Sequence, residues 1–374
     1  MKPASAFAAL FACAAAAALG WWAGARRVEQ RFERVVEAHT TALTLGAIAP
    51  EEQRATVAKA YSDPASAERA LDRIAWEPPK TPAPFVGYAP TPGEHANARH
   101  NSLGWRDARE LVRPKPAGVV RVFLTGGSTA YGVGAPSQET TIGALLERQL
   151  NTELGARDGK RYEVFTTAAP AWASTHERIQ VENLLSDAEA DVIVALTGVN
   201  DVHWGWRGAD VMWMRSYAEE YFKLLHDAAL EVAGAPAEVD LVRVSPEPVS
   251  PGDVGYRFER NQRSAWYAAA TGGATYVVAL QPCLAVTKSS RKPPADGDES
   301  YFVACFDELR QRLQRIELQQ WKFVDLTRLF DADFGREHVY IDSYHFGDKG
   351  NERLARALFE ALHERLAPAG GEPK

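Results

Sequence analysis

The stretch VFLTGGSTAYGVG, Val122–Gly134, passes from an apolar, β-branched segment directly into two glycines and a serine. Apolar β-branched residues favour a buried strand, and paired glycines favour a tight turn at its end. Ser128 therefore follows the carboxyl end of a predicted strand. Neither GxxxxGK[ST] nor GxGxxG is present here, which argues against a phosphate-binding loop. A turn residue and a nucleophile remain as interpretations of Ser128.

Four further apolar segments follow along the chain, and stretches with apolar residues at helical spacing lie between them. Continuous apolar strands that alternate with helices are typical of a parallel sheet covered on both faces. The sequence therefore predicts a doubly wound, flavodoxin-like α/β domain whose five-stranded parallel sheet is flanked by helices. Ligands bind such sheets beyond the carboxyl ends of the strands. The predicted strands are 119–124, 162–167, 191–196, 275–280 and 322–326.

Residues suited to acyl transfer occur in three separate loops of this predicted domain. Ser128 follows the first strand, and Asn200 follows the third strand in the motif GVND. Asp342 and His345 precede the last predicted helix. Acyl transfer requires a hydroxyl that attacks, an imidazole that takes its proton, a carboxylate that orients the imidazole, and donors for the oxyanion. Each motif alone is weak, but their shared placement after strands favours Ser128 as a nucleophile.

With these motifs the chain resembles the GDSL/SGNH hydrolase superfamily over about Phe85 to Leu366. Ser128 in GGS matches the nucleophile of the first family block, and Asn200 matches the third block. The segment NSLGWRD, Asn101–Asp107, is similar to the NSxG(F/W)R lead-in of a bacterial, membrane-anchored branch, in which GGS is common. The segment LQPCLAVTKS after the fourth strand is also similar to that branch.

The resemblance implies a catalytic triad and an oxyanion hole. Asp342 and His345 in DSYH match the DxxH pair of the fifth block, which makes Ser128, His345 and Asp342 the triad. The Ser128 N–H, the Ala171 N–H and the Asn200 amide would then receive the oxyanion. No metal and no cofactor is implied.

Two positions depart from the family pattern. Gly127 replaces the aspartate of the usual GDS motif, and this change leaves the nucleophile in place. Ala171 stands where the second block has a glycine. Alanine retains the backbone N–H, so the donor survives if its φ is negative, whereas a positive φ would strain the chain.

The region before the predicted domain divides into three parts. Residues 1–25 are free of charge between Lys2 and Arg26 and predict a signal peptide or a transmembrane anchor. Residues 26–76 predict a helical stalk, and 77–93 a proline-rich connector. The catalytic domain is expected over 85–370. The arginines after the apolar segment favour a cytoplasmic body by charge, but an N-terminal signal usually exports the chain attached to it, so we expect an extracytoplasmic location.

Composition narrows the range of partners. The net charge is −7 and the pI about 5.8, which gives no basic surface for nucleic acid. The spacing of the three cysteines does not suggest a metal site. Cys283 and Cys305 either form a disulfide in an oxidising compartment or remain two inert thiols.

Tryptophans after Asn200 bear on the substrate. Trp204 and Trp206 are possible substrate contacts, since indole faces beside an esterase centre can stack on sugar rings. Trp213 is more typical of a helix core. The first functional hypothesis is hydrolysis of O-acetyl or other acyl esters on carbohydrate or cell-envelope substrates. Polysaccharide O-acetyl transfer is the second. The third is a non-catalytic carbohydrate-binding or scaffold protein that keeps the fold, for which Ala171 is the main support.

Overall fold

A computed structural model describes residues 3–45, 51–74, 78–208, 217–234, 247–289, 298–332 and 336–366. The chain divides into two compact units. The smaller unit consists of Met1–Gly46 and Glu219–Arg243, and the larger of Ala47–Ala218 and Val244–Lys374. The candidate site lies wholly in the larger unit. Trp213 lies outside the described residues.

The strands form one central sheet and two small hairpins. They are β1 (Lys80–Ala83), β2 (Gly87–Pro90), β3 (Gly93–His95), β4 (Ala98–His100), β5 (Val119–Gly126), β6 (Arg161–Thr166), β7 (Val192–Thr197), β8 (Thr275–Leu280) and β9 (Trp321–Asp325).

Most of the helices pack around this sheet. They are α1 (Pro3–Leu45), α2 (Glu51–Ala58), α3 (Pro64–Ile74), α4 (Ser128–Tyr131), α5 (Ile142–Leu150), α6 (Ala156–Asp158), α7 (Ser174–Gln180), α8 (Val199–Trp206), α9 (Tyr217–Ala233), α10 (Pro251–Thr271), α11 (Leu284–Ser289), α12 (Asp298–Gln314) and α13 (Asp348–Leu366). Short π-helical stretches, Asn151–Gly155 and Val181–Leu185, extend α5 and α7.

The central sheet is parallel, with strand order β6-β5-β7-β8-β9. In its register Leu124 pairs with Thr166 on one side and Val194 on the other. The predicted five-stranded α/β fold is therefore confirmed, and each predicted strand lies within two residues of an observed one. Because the strands run in the same direction, the loops after β5, β6 and β7 emerge at the same edge.

The core lies on both faces of the sheet because successive side chains in a strand point to opposite sides. Leu124 and Val194 pack on one face with α5 and α13. Phe123 and Ile193 pack on the other face with α10 and α12. A sheet buried on both faces explains why these strands read as unbroken apolar runs rather than alternating ones.

Part of the predicted stalk packs on the catalytic body. Tyr61, between α2 and α3, and Leu71 of α3 are buried in a small apolar cluster that also contacts Ile341. The Ser62 N–H donates to Asp348 Oδ1 at 2.8 Å, which joins the α2–α3 loop to the start of α13. The amphipathic pattern of α3 therefore serves packing against the body rather than a free-standing stalk. Residues 46–50 and 75–77 lie outside the described part of the chain.

The predicted proline-rich connector, 77–93, is largely one antiparallel hairpin, β1–β2, and a second hairpin, β3–β4, follows it. Prolines are tolerated there because these are short edge strands, which leave many N–H groups without a ladder partner. Tyr88 in β2 is completely buried. This segment is therefore part of the folded body and not a spacer.

The membrane anchor predicted for residues 1–25 is not confirmed. Among the residues with described placement, no helix is long and apolar enough to cross a membrane. The signal peptide stays a prediction.

Cys283 and Cys305 are both buried and free, so the disulfide alternative is wrong for this structure. Burial raises the pKa of each thiol to about 12. They therefore behave as the inert thiols of the second alternative.

Candidate active site

Ser128 stands where β5 turns into the short helix α4. Gly126 ends the strand with φ +148°, and a Cβ there would lie 2.2 Å from the Leu196 carbonyl oxygen. Glycine is therefore required at this position because the turn approaches β7 too closely for a side chain. The consequence is that Ser128 begins α4 at the carboxyl edge of the sheet.

Ser128, His345 and Asp342 form a hydrogen-bonded series. The His345 Nε2 atom lies 2.6 Å from Ser128 Oγ, and His345 Nδ1 lies 2.6 Å from Asp342 Oδ2. Asp342 Oδ1 also accepts from the N–H groups of Tyr344 and His345, at 2.7 and 2.8 Å. The structure thus brings together the three residues that the sequence predicts for the triad.

The charge on Asp342 determines which ring nitrogen of His345 carries the proton. Burial opposes ionisation of Asp342, but the attraction of His345 and three hydrogen bonds outweigh it and hold the Asp342 pKa below its ordinary value. An ionised carboxylate only accepts, so Nδ1 of the neutral imidazole carries the proton. Nε2 is then the acceptor that faces the Ser128 hydroxyl.

The loop that carries His345 is tied to the nucleophile helix. Thr129 Oγ1, one residue after Ser128, donates to the Tyr344 carbonyl at 3.1 Å. Gln281 Nε2 donates to Thr129 Oγ1 at 3.0 Å, so the loop after β8 also supports this contact. These bonds join the loop of His345 to the helix of Ser128, and these two residues are 217 positions apart in sequence.

One backbone donor is unused in the loop after β6. In the segment from Ala169 to Ser174, the N–H groups of Ala169, Trp172, Ala173 and Ser174 donate to Gly126 O, Ala169 O, His176 Nδ1 and Asp201 Oδ2. Pro170 has no N–H. The Ala171 N–H has no acceptor among the described residues, and neither has the Ser128 N–H. Both donors are therefore available to a ligand.

Ala171 has a left-handed backbone, with φ +65°. Of the two possibilities that the sequence left open, the strained one is observed. A left-handed conformation costs an alanine about 1–2 kcal/mol because Cβ approaches the following carbonyl oxygen. The surrounding contacts must supply that free energy.

The strain predicts that Ala171→Gly stabilises the protein. Glycine removes the Cβ penalty but loses more backbone entropy on folding, so we expect the free energy of unfolding to rise by about 0.5–1 kcal/mol. Urea denaturation measures this as a higher midpoint at constant slope. The matched variant is Ala169→Gly, two residues earlier, where φ is not positive and the methyl is fully buried. It should lower stability, and equal effects of the two variants would contradict the strain.

Asn200 lies next to the nucleophile turn. Its Nδ2 donates to the Trp172 carbonyl at 2.7 Å, and a Cβ on Gly127 would lie 2.2 Å from the same nitrogen. The Asn200 amide therefore occupies the space that a side chain at 127 would need. This contact is the physical reason for Gly127, which the sequence shows only as a departure that leaves the nucleophile in place.

Asp201 is a supporting residue that the sequence motifs do not assign. It is completely buried and accepts from Ser174 N at 3.0 Å and from Ser174 Oγ at 2.5 Å. Burial raises its pKa to about 6, against the opposing effect of the Ser174 bonds. Asp201 thereby joins the start of α7 to α8, on which Asn200 lies. The sequence feature that could have indicated this role is the position of Asp201 directly after Asn200 in the motif GVND.

The two tryptophans proposed as substrate contacts differ in exposure. Trp204 is 4% exposed and packs against Ala171 and Ala173. It presents almost no surface to a ligand, so the structure contradicts this predicted contact because α8 turns the indole inward beneath the loop. Trp206 is half-buried beside Tyr301, with ring centroids 5.2 Å apart. Its contact with substrate stays a prediction.

An aromatic cluster beside His345 was not anticipated. The Tyr344 ring stacks on Phe302 at 5.9 Å and meets His203 edge to face at 5.8 Å. Burial lowers the His203 pKa to about 4, with a smaller effect of Arg207, so this imidazole is neutral near pH 7. The sequence feature that could have indicated this cluster is the position of Tyr344 between Asp342 and His345 in the motif DSYH.

A parallel α/β sheet with a serine, a histidine and an aspartate in hydrogen-bonded series at its carboxyl edge is the arrangement of a serine hydrolase. A profile of the GDSL-like Lipase/Acylhydrolase family matches residues 124–353. The chain belongs to this family, and the family resemblance seen in the sequence is confirmed. The membrane-anchored branch stays a prediction.

The fold is also similar to several solved structures. LAE5, an α/β hydrolase from the metagenome of Lake Arreo, Spain, is 16% identical, covers 65% of this chain and 94% of its own, and has a TM-score of 0.43. The acetyl xylan esterase AlAXEase is 16% identical, with 65% and 98% covered and a TM-score of 0.40. A catalytic mutant of the acetylxylan esterase Axe2 from Geobacillus stearothermophilus is 13% identical, with 67% and 97% covered and a TM-score of 0.43. No curated protein sequence matches the chain.

Proposed function

We propose that this chain is a serine esterase in which Ser128 is the nucleophile. The observation that carries the proposal is the series from Ser128 Oγ to His345 to Asp342, with both distances at 2.6 Å. In addition, the N–H groups of Ser128 and Ala171 have no acceptor among the described residues. An aligned base and free donors are what acyl transfer requires.

The mechanism follows from these contacts. His345 Nε2 takes the Ser128 proton while Oγ attacks the ester carbonyl, and Asp342 stabilises the imidazolium. The Ser128 N–H, the Ala171 N–H and the Asn200 amide receive the oxyanion. His345 then gives its proton to the leaving alcohol, and an acyl-serine forms. Water attacks this ester in the second half, with His345 again as the base, and releases the acid.

For the substrate we propose carbohydrate O-acetyl esters, in the cell envelope or outside it. The support is the half-buried ring of Tyr344 beside His345, together with the half-buried pair of Trp206 and Tyr301, which packs against the same apolar cluster as Tyr344. Aromatic faces bind sugar rings by stacking. The extracytoplasmic location rests on the N-terminal segment alone, and a reporter fused after Lys374 that is active only in the cytoplasm would refute it.

O-acetyl transfer to a glycan is the second candidate, because hydrolysis and transfer share the acyl-serine and differ in the acceptor. The test supplies p-nitrophenyl acetate or an acetylated xylo-oligosaccharide, with and without a de-acetylated acceptor glycan. Release of acetate in both mixtures supports hydrolysis. Acetylated acceptor as the main product supports transfer. Activity in neither mixture, from folded protein, favours the non-catalytic alternative.

Asn200→Ala is expected to lower kcat by about 100-fold or more, because one oxyanion donor is lost. KM should change little, since the donor acts mainly on the transition state. Steady-state kinetics on p-nitrophenyl acetate measure both. The matched control is Asn183→Ala, which removes a surface amide bonded to the Ile179 carbonyl and should leave kcat unchanged. An unchanged kcat in Asn200→Ala would remove Asn200 from the mechanism.

A further inference from the structure

The β1–β2 hairpin contacts both neighbours of Ala171. The Tyr88 hydroxyl donates to the Pro170 carbonyl at 2.7 Å. Trp172 Nε1 donates to the Tyr88 carbonyl at 3.2 Å. Tyr88 is completely buried, so neither contact competes with bulk water. One residue of the hairpin therefore holds the chain directly before and directly after the strained alanine.

One of these two contacts acts on the peptide unit that contains the Ala171 N–H. The N–H of Ala171 belongs to the Pro170–Ala171 peptide, and the Tyr88 hydroxyl binds the carbonyl oxygen of that same peptide. Because a peptide unit is planar, fixing its oxygen also fixes the direction of its N–H. Relaxation of Ala171 to negative φ would change that direction relative to Ser128 and Asn200.

Other contacts, which do not involve Tyr88, also restrain the loop after β6. Asn200 Nδ2 binds the Trp172 carbonyl, and the Trp172 ring stacks on His176 with an interplanar angle of 7°. These contacts restrain Trp172 but not the Pro170 carbonyl. The Tyr88 hydroxyl is thus the contact that acts on the Ala171 N–H itself.

We propose that Tyr88 is a positioning residue that holds the Ala171 N–H in its left-handed, oxyanion-binding orientation. The β1–β2 hairpin lies before residues 124–353, which match the family, so an element outside the matched residues would support the hydrolytic site. The inference rests on the proposed esterase function.

The first test is Tyr88→Phe, which removes the hydroxyl and keeps the ring. Without this bond the strained conformer loses its restraint, and the strain of an alanine at positive φ corresponds to about a tenfold fall in its population. We therefore expect kcat on p-nitrophenyl acetate to fall about tenfold while KM changes less than about twofold. The matched control is Tyr162→Phe, another buried tyrosine whose hydroxyl donates to Asp158 at the opposite end of the sheet.

The second test repeats the change in an Ala171→Gly background. Glycine populates positive and negative φ about equally, so removal of the bond should then lower kcat only about twofold. The Tyr88→Phe effect should therefore shrink when residue 171 is glycine, and a structural role alone would not produce this dependence. If Tyr88→Phe fails to fold, Trp172→Phe removes the bond that holds the Tyr88 backbone against the loop, and any fall in kcat should likewise shrink when residue 171 is glycine.

The outcomes separate the inference from the function on which it rests. An inactive wild-type enzyme contradicts the proposed esterase. With an active wild type, an unchanged kcat in Tyr88→Phe overturns the positioning role. An equal fall in both backgrounds, or an equal fall in Tyr162→Phe, also overturns it because the loss then reflects general stability. A fall in kcat that Ala171→Gly reduces supports it.

Discussion

Ser128→Ala is expected to lower kcat for ester hydrolysis by at least about 10⁴-fold, because the attacking oxygen is absent. The fold should persist, since the Ser128 side chain bonds only His345 among the described residues. Steady-state kinetics with p-nitrophenyl acetate measure the loss, and the urea midpoint checks folding.

The matched control for this change is Ser102→Ala. Ser102 Oγ donates to Glu110 on the surface and lies outside the site. This variant should keep wild-type kcat. A Ser128→Ala enzyme with more than about a tenth of wild-type kcat would exclude Ser128 as the nucleophile.

Asp342→Asn should have the second largest effect, a fall in kcat of about 10³–10⁴-fold near pH 7. The asparagine Nδ2 would donate to His345 Nδ1 and so place the imidazole proton on Nε2. In that tautomer Nε2 cannot accept the Ser128 proton. The carboxylate that is lost is ionised at neutral pH, since its pKa lies below its ordinary value, so stabilisation of the imidazolium is lost as well.

Asp348→Asn provides the comparison for this variant. Asp348 accepts from the Ser62 N–H at 2.8 Å and lies just beyond the triad segment. The Asp348→Asn variant should lower the free energy of unfolding slightly and change kcat little. Equal kinetic losses in the two variants would indicate a general disturbance of the segment instead of a specific role of Asp342.

The central sheet could be predicted because its strands are buried on both faces. A segment such as 119–124 is apolar at nearly every position, and this pattern is independent of distant contacts. The grouping of Ser128 with Asn200 could be predicted for a related reason. Parallel strands bring their carboxyl ends to one edge, and the adjacency of β5 and β7 places Ser128 and Asn200 in neighbouring loops.

The N-terminal region could not be predicted because its packing depends on distant partners. The prolines of 77–93 indicate an extended chain, but only the folded body shows that Tyr88 binds Pro170. Trp204 illustrates the same limit. Its position after Asn200 suggested a substrate contact, whereas the direction of α8 places it under Ala171.

The backbone of Ala171 could be stated only as two alternatives. Alanine favours negative φ, and the sequence contains no measure of the contacts that oppose this preference. The observed φ is positive, and the residues before and after position 171 are both hydrogen-bonded to Tyr88 of β2. The steric need for Gly127 is similar, because it arises from Asn200, 73 residues later.

The central claim is that Ser128 is an activated nucleophile. The most direct measurement is treatment of the protein with a fluorophosphonate probe, followed by peptide mass spectrometry to locate the adduct. We predict an adduct on Ser128 in the wild type and in Ser102→Ala, and none in Ser128→Ala or His345→Ala. An unlabelled wild type that is folded by its urea transition, or an adduct on another serine, would contradict the account.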